Sequence, residues 1–539
     1  MALLLTSSTA VSIEKFAGDD VYGMYDQRMA GKVPEYGGTY RTHLFPPPRS
    51  FDPHTEISAG ASLICNLAYN GLVRLAPRIN EIELDAAESW RQIDALTYEF
   101  TLRKGIFYHN IPPVNAREMT STDVKYSIER LMGRYGKLSE FRHSYYFRDK
   151  LDSIQTPDKY TVIFKTKKPY APFIRYLASP WAKIVPKEAV DEFNNLKRTV
   201  VGSGPFMLKE QKAGSHLLFV KNPHYFKEGL PYLDGVQLYI TPNKTIPLTG
   251  FMEGQMDGIS IHRVQLDGIR ESAPNSLLIE LPGLYTWTLR TTPGVKESQE
   301  LNAPLGDKRV RQAIAHAIDK KSFLEMAGFD EVRLERGAIP AAYPPWGLTD
   351  ADLWEYNPQK GKKLLAEAGY PDGFACQLMT WDTEYLTVPM AELQQMLAEI
   401  GIRAKLNVLD AAQYFNKSYR FQYDLALNIM PAGIDPSDWL VPYFGKSANF
   451  YKWNNPQLWD LIEQQEQLMD QSERLELISQ IQKIVVDEAM SQSLFSQARY
   501  LAYQPYVYAK PYFHPYSLGT GFEVLWMDKY WKTSPIIVD

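Results

Sequence analysis

A chain of 539 residues exceeds what one hydrophobic core usually holds, so two large lobes or three smaller units are expected. Its 58 Lys+Arg against 63 Asp+Glu leave a net charge of −5, which argues against polyanion binding, and nucleic acid is not an expected partner. Hydrophobic residues make up 45% and charged residues 22%, with no run near the ~18 apolar residues of a membrane span, so the folded body reads as soluble.

In chain order, MALLLTSSTA shows a short apolar run and then small residues, without the basic start or full core of a secretory signal. Residues 1–35 are read as an N-terminal segment, either a signal remnant or a frayed terminus. After Gly37-Gly38, TYRTHLF reads as a strand that Asp52-Pro53 ends. SLICNLAYNGLVRL is an apolar helical stretch carrying Cys65. YEFTLRKGIFYH is rich in β-branched and aromatic residues, with Lys104-Gly105 as a hairpin-like interruption, and STDVKYSIERLM has a Ser/Thr start and apolar residues at helical spacing. Residues 98–167 together suggest antiparallel strands with a helix. In VVGSGPF, Gly202 and Gly204 with Pro205 form a tight turn into a strand, where positive φ or close backbone approach excludes a Cβ.

Further on, Asp307 can cap a helix whose Val310, Ala313, Ile314, Ala317 and Ile318 make a core-facing stripe. His316 in that helix is read as a surface or satisfied histidine. Asp350 and Asp352 fall on a polar loop, where solvation accounts for them. Asn357-Pro358 starts a helix that stops at Gly369; Leu393, Met396, Leu397 and Ile400 mark another that stops at Gly401. Ile402, Ala404, Leu406 and Val408 then alternate with polar residues, the period of a strand. Residues 355–430 therefore read as an α/β lobe around a sheet. A long helical run over 456–490 precedes aromatic-rich strands in 494–539. A chain that returns to its first lobe in this way crosses between lobes twice, which makes a hinge.

The two cysteines, Cys65 and Cys376, have no CxxC neighbour, which removes thiolate clusters and redox motifs; two separate buried thiols are the simpler reading. No GxxxxGK[ST], GxSxG, HExxH or strand-to-helix GxGxxG occurs, and no two of the nine histidines stand at i, i+4. No cofactor or metal is expected, and no enzymatic activity. A hydrolase with a dispersed site is the alternative from another class.

One series of signatures occurs in order: YGGTYR (36–41), FDPH (51–54), YNGLVRL (69–75), AAESWRQIDALTYEFTLRKGIFYH (86–109), MTSTDVKYSIERL (119–131), VVGSGPFMLKEQKAGSHLLFVKNPHYF (200–226), PLGDKRVRQAIAHAIDKKSF (304–323), YNPQKGKKLLAEAGYPDGF (356–374) and NNPQLWDLI (454–462). Together they resemble the peptide- and nickel-binding type of solute-binding proteins of ATP-binding cassette importers, family 5, from about residue 36 to the C-terminus. The resemblance implies an α/β type II periplasmic-binding-protein fold (cluster C). Lobe I would comprise 36–52, 191–283 and 497–539, with a subdomain at 53–190, and lobe II would comprise 284–496. It also implies a monomer, periplasmic or lipid-anchored on the outer face of the membrane, that takes a small-molecule ligand in an interlobe cleft, closes by hinge motion and meets the importer's permease subunits.

In peptide-binding members an Asp in a Gly-Trp-x-x-Asp-Tyr-like segment anchors the ligand's ammonium. Aligned on Asp435-Pro436, the Trp position here is Ile429 and the Asp position is Ala432. An ammonium left unpaired in a buried site costs several kcal/mol, as an order of magnitude. The expected ligand is therefore a peptide held differently, an oligosaccharide or another polar organic solute. Expected ligand contacts are Trp181, Trp346, Trp381 and Tyr285, which interrupt loops, with Met430 beside the lost Trp position and Asp435 if its loop is re-routed; Asp435 could equally cap the following turn.

Overall fold

The computed structural model describes residues 20–528 except 45–46, 57, 79–80, 242–244, 282, 284, 293–302, 327–332, 349–353, 383–386, 447–450, 452, 497, 511 and 513–520. The segment MALLLTSSTA and the Asp350/Asp352 pair lie outside the described residues. The chain divides into two compact units, one formed by Met1–Leu281 with Arg499–Asp539, the other by Pro282–Ala498.

In the first unit, the strand Thr39–Leu44 pairs in parallel with Gly235–Ile240, and His216–Lys221 and Phe206–Lys212 extend the sheet antiparallel. Arg499–Tyr503, arriving from the far end of the chain, lies between Gly258–Ile261 and Leu277–Leu281. A separate antiparallel sheet contains Ala87–Gln92, Thr97–Leu102, Thr161–Thr166 and Leu151–Gln155, accompanied by the helix Ser121–Leu131. Thr120 caps that helix and Asp123 reaches back to the Thr120 N–H (2.8 Å), the reciprocal arrangement that satisfies two end donors.

Of the two readings of Gly202 and Gly204, close approach is the operative one. A Cβ at Gly202 would stand 1.9 Å from the Ala68 carbonyl oxygen, and one at Gly204 would stand 2.5 Å from the Ala68 carbonyl carbon. The Gly204 N–H donates to that same oxygen at 2.9 Å, closing the end of the apolar helix Ala59–Ala68. Buried ion pairs tie distant segments of the unit together. Arg130 holds Asp52 through both guanidinium nitrogens (2.8 and 2.5 Å) and donates to His54 Nδ1 at 2.9 Å. Asp257 accepts from Arg41 at 2.7 Å and from Tyr506 at 2.6 Å.

The second unit is built on one six-stranded sheet in the order Arg333–Leu334, Ser491–Ser496, Thr286–Thr291, Leu425–Met430, Phe374–Trp381, Ile402–Leu409. The last three strands are mutually parallel, and the first four pair antiparallel. Trp287, Leu289, Leu378 and Leu427 share a core with Val310 and Ile314 of the helix Lys308–Ala317 and with Leu393 and Leu397 of Thr387–Glu399. The stripe read from Asp307 onward thus meets the sheet, and Ile318, one residue past the helix end, stays in the core. The expected helical run 456–490 is two helices, Pro456–Gln465 and Gln471–Glu488; the break comes where Asp470 caps the second by accepting from the Ser472 and Glu473 N–H groups (2.9 and 3.0 Å). Cys65 and Cys376 are free, buried and in different units.

Candidate functional site

Side chains alternate across a strand, so Thr286, Thr288 and Arg290 face away from the core that receives Trp287 and Leu289. Opposite them in the ladder stand Met430, Asn428 and Ala426 on one side and Ser496, Ser493 and Ser491 on the other. This face of the second unit's sheet is polar and buried. The hydroxyls of Thr286 and Ser496, direct ladder neighbours, are buried without a hydrogen-bond partner among the described residues.

Arg290 is the largest feature of that face. It is wholly buried, with its guanidinium 5.2 Å from the centre of the Tyr451 ring. Burial works against its charge, and the surrounding phenols of Tyr423, Tyr451, Tyr414 and Tyr443 outweigh it, so the group stays a cation. Tyr451 is itself positioned by a hydrogen bond from its Oη to Ser491 Oγ (2.9 Å).

The loop after Leu425–Met430 carries the position expected for an ammonium anchor. Ala432 is buried there. Asp435 is fully buried and held by Arg474, whose Nη1 and Nη2 donate to its two oxygens at 2.9 and 2.6 Å. Asp435 Oδ1 also accepts from the Ser437 N–H (2.9 Å), and Asp438 Oδ2 accepts from the Ile434 N–H (2.7 Å). Both carboxylates therefore shape the loop. Arg474 is further fixed by Gln465 and lies 5.3 Å from the centre of the Trp346 ring.

These contacts place the residues singled out from sequence. Trp346 and Asp435 come together, both against the Arg474 guanidinium. Trp381 is half-buried and stacks on Trp287 (5.4 Å between centroids) with Tyr414 at 4.7 Å. Met430 pairs with Thr286, the residue after half-buried Tyr285. Trp181 belongs to the other unit, where it is buried and stacked on His143 at 5.2 Å. Arg290 escaped the sequence reading; its only signal was a charge inside the strand TWTLRT.

Two smaller sites occur in the first unit. One, about 40 Å³, mixes signs: Arg74 and Lys183 line it together with Asp85 and Glu523. The other, about 50 Å³, lies against Thr39–Leu44 and the start of Ala59–Ala68, and among the described residues that line it none is acidic. Among the described residues no group of His, Cys, Asp and Glu could hold a metal ion, and no helix is long and apolar enough to cross a membrane.

Two α/β units connected by two passages of the chain, with one unit discontinuous in sequence, define a type II periplasmic-binding-protein fold. The model of the bacterial extracellular solute-binding proteins, family 5 Middle, matches residues 81–452, and the chain belongs to that family. The heme-binding protein A of Haemophilus influenzae is 28% identical over 454 residues, 78% of this chain and 80% of the relative. The dipeptide-binding protein of Escherichia coli is 26% identical over 449 residues, 78% of this chain and 82% of the relative. Among solved structures, the binding protein AgaA of A. tumefaciens R10 in complex with agropinic acid is 26% identical, with a TM-score of 0.76, covering 91% of this chain and 99% of that one. The periplasmic binding protein DppA of Helicobacter pylori in complex with the peptide STSA is 24% identical with a TM-score of 0.79, covering 92% and 99%.

Proposed function

We propose that this protein captures a small polar organic solute outside the cytoplasm, as a monomer, and delivers it to the permease subunits of an ATP-binding cassette importer. Family membership supports capture, and one observation directs the choice of solute. The position for an ammonium anchor is Ala432, and the nearby acid Asp435 is bound to Arg474 at 2.6 and 2.9 Å. Recognition therefore runs through groups other than a carboxylate–ammonium pair. The polar sheet face of Thr286, Asn428 and Arg290, with Met430, Tyr285 and Trp381 at its end, suits a solute with hydrogen-bonding groups and an apolar side.

Relatives bearing the names heme-binding and dipeptide-binding, and neighbours holding a peptide or agropinic acid, supply the classes to screen. A thermal-shift screen against peptides, oligosaccharides and sugar-derived acids tests the reading. A solute at 100 times its Kd that binds only the folded protein adds about 2.7 kcal/mol. A well-folded sample that no class stabilises would refute capture. Recovery of the solute intact after prolonged incubation separates a carrier from a hydrolase, and Trp381→Ala is expected to weaken binding at least about tenfold through lost stacking area.

A further inference from the structure

The strand Leu425–Met430 reads LALNIM, five apolar residues and one asparagine. Asparagine is depleted in strands, because its short carboxamide packs poorly on a pleated surface and competes for backbone hydrogen bonds. Here the side chain gains nothing in exchange. Asn428 is 7% exposed, and its carboxamide makes no hydrogen bond among the described residues. A carboxamide taken from water without a partner destabilises the unliganded fold. A residue that breaks a local rule without an internal gain marks a functional position.

The other polar groups that Thr286–Thr291 and Ser491–Ser496 bring to this face are occupied or closed off. Tyr451 donates to Ser491 Oγ at 2.9 Å, and Ser493 Oγ donates to the Gly337 carbonyl at 2.6 Å. The Arg290 guanidinium lies against the Tyr451 ring, and the hydroxyls of Thr286, Thr288 and Ser496 are wholly buried. The Asn428 carboxamide is not closed off, and the neighbours on its own strand that share its face, Ala426 and Met430, are apolar. Its oxygen accepts and its NH2 donates, side by side. An amide or hydroxyl of a bound molecule can use both. An ammonium can use only the oxygen, and a carboxylate only the NH2. The absence of an acid at Ala432 and the binding of Asp435 to Arg474 point the same way, to an uncharged partner.

We infer that Asn428 is the specificity-determining residue of the second unit's sheet face, where its carboxamide exchanges two hydrogen bonds with an uncharged amide or hydroxyl group of the solute. The inference rests on the capture function proposed above. A site built to hydrogen-bond a group rejects the analogue lacking it far more strongly than an apolar wall rejects an added group. One open carboxamide among apolar neighbours is therefore enough to select.

Asn428→Leu, close in shape and without polar atoms, separates this role from a structural one because the two predict opposite signs. Without solute, the variant is expected to unfold about 2–4 °C above the parent, since it removes an unpaired buried group. Calorimetry with Ala-Ala, cellobiose and gluconamide gives the other half: each probe that binds the parent should bind the variant at least about tenfold more weakly, a difference of about 1.4 kcal/mol. Asn428→Thr, smaller and suited to a strand, keeps one hydroxyl and should lose about threefold. A midpoint lowered in both variants would make Asn428 a structural residue and overturn the assignment. Asn428→Asp should weaken the same probes as Leu does; tighter binding of Ala-Ala by Asn428→Asp would mean that the group met is an ammonium, and the uncharged class would fall. If a probe binds the parent and Asn428→Leu alike, the assignment is overturned and capture stands. If no probe and no member of the solute screen binds the parent, both fall.

Discussion

Glu523 reaches back from near the end of the chain to hold two early segments of the first unit. Its Oε1 accepts from Arg74 (2.7 Å) and Lys227 (3.0 Å), and its Oε2 accepts from Tyr225 Oη at 2.6 Å. The side chain is 4% exposed. Burial pushes its carboxyl up, but Arg74, Lys227 and the hydrogen bonds more than reverse this and bring it down to about 2, from an ordinary 4.5. The depressed value means that the folded state holds the proton less tightly than the unfolded chain, so the stabilisation is complete above about 4.5 and declines as pH falls toward 2. At 1.36 kcal/mol per unit, the ionised form is worth about 3 kcal/mol at neutral pH. Glu523→Gln keeps the shape and the Tyr225 contact and removes the charge. Urea unfolding of both proteins should show a difference of about 3 kcal/mol that is constant from about pH 7 to 5 and about 1 kcal/mol smaller by pH 3.5. Taking the difference cancels every other titrating group. A difference of the same size at all pH values would mean that the substitution acts through packing, and the electrostatic account would fail.

Arg474→Met should cost about 3–5 kcal/mol by urea unfolding followed through tryptophan fluorescence, because it leaves Asp435 buried without its cation; adding Asp435→Asn should recover a large part. Loss of solute affinity with unchanged stability in Asp435→Asn would instead place that carboxylate against the solute. Gly202→Ala should cost about 3 kcal/mol or more, since its Cβ would meet a backbone oxygen at 1.9 Å that no side-chain rotation can move; a soluble yield and midpoint equal to the parent would contradict this. His54 is held at about 4 by burial first and then by Arg130, so between about 6.5 and 4 the unfolded chain binds a proton that the folded protein does not, and stability falls as pH falls through that window. His54→Gln should remove up to about 1.4 kcal/mol per pH unit from that slope, and an unchanged slope would show that the imidazole is not neutral in the fold.

What could be read from sequence follows the range of the forces involved. The strand Ile402–Leu409 was legible because its alternation records one buried and one exposed face over consecutive residues. The Asn357 and Asp307 helix starts were legible because a cap acts within three residues, and both side chains accept from the first turn as expected. Arg290 was not, because the groups that make its burial tolerable stand at Tyr414, Tyr423, Tyr443 and Tyr451, more than a hundred residues away, and no periodicity connects them. The helical run 456–490 was misjudged where a short-range signal was present: Asp470 before Ser472 and Glu473 is a helix start inside an otherwise continuous helical pattern.

The loop over 431–438 shows why the family's scaffold can persist while its recognition chemistry changes. Its conformation is set by Asp438 accepting from the Ile434 N–H, by Asp435 accepting from the Ser437 N–H, and by Arg474 and Gln465 behind them. None of these bonds involves the side chain of Ala432. A residue at 432 can therefore be exchanged without changing the hydrogen bonds that hold the loop, and the carboxylate that a peptide's ammonium would require is a separable part. Asp435 cannot be recruited in its place without giving up two charge-assisted bonds to Arg474, and a buried guanidinium left behind would cost about 3–5 kcal/mol. An ammonium ion would have to supply more than that to pull Asp435 over.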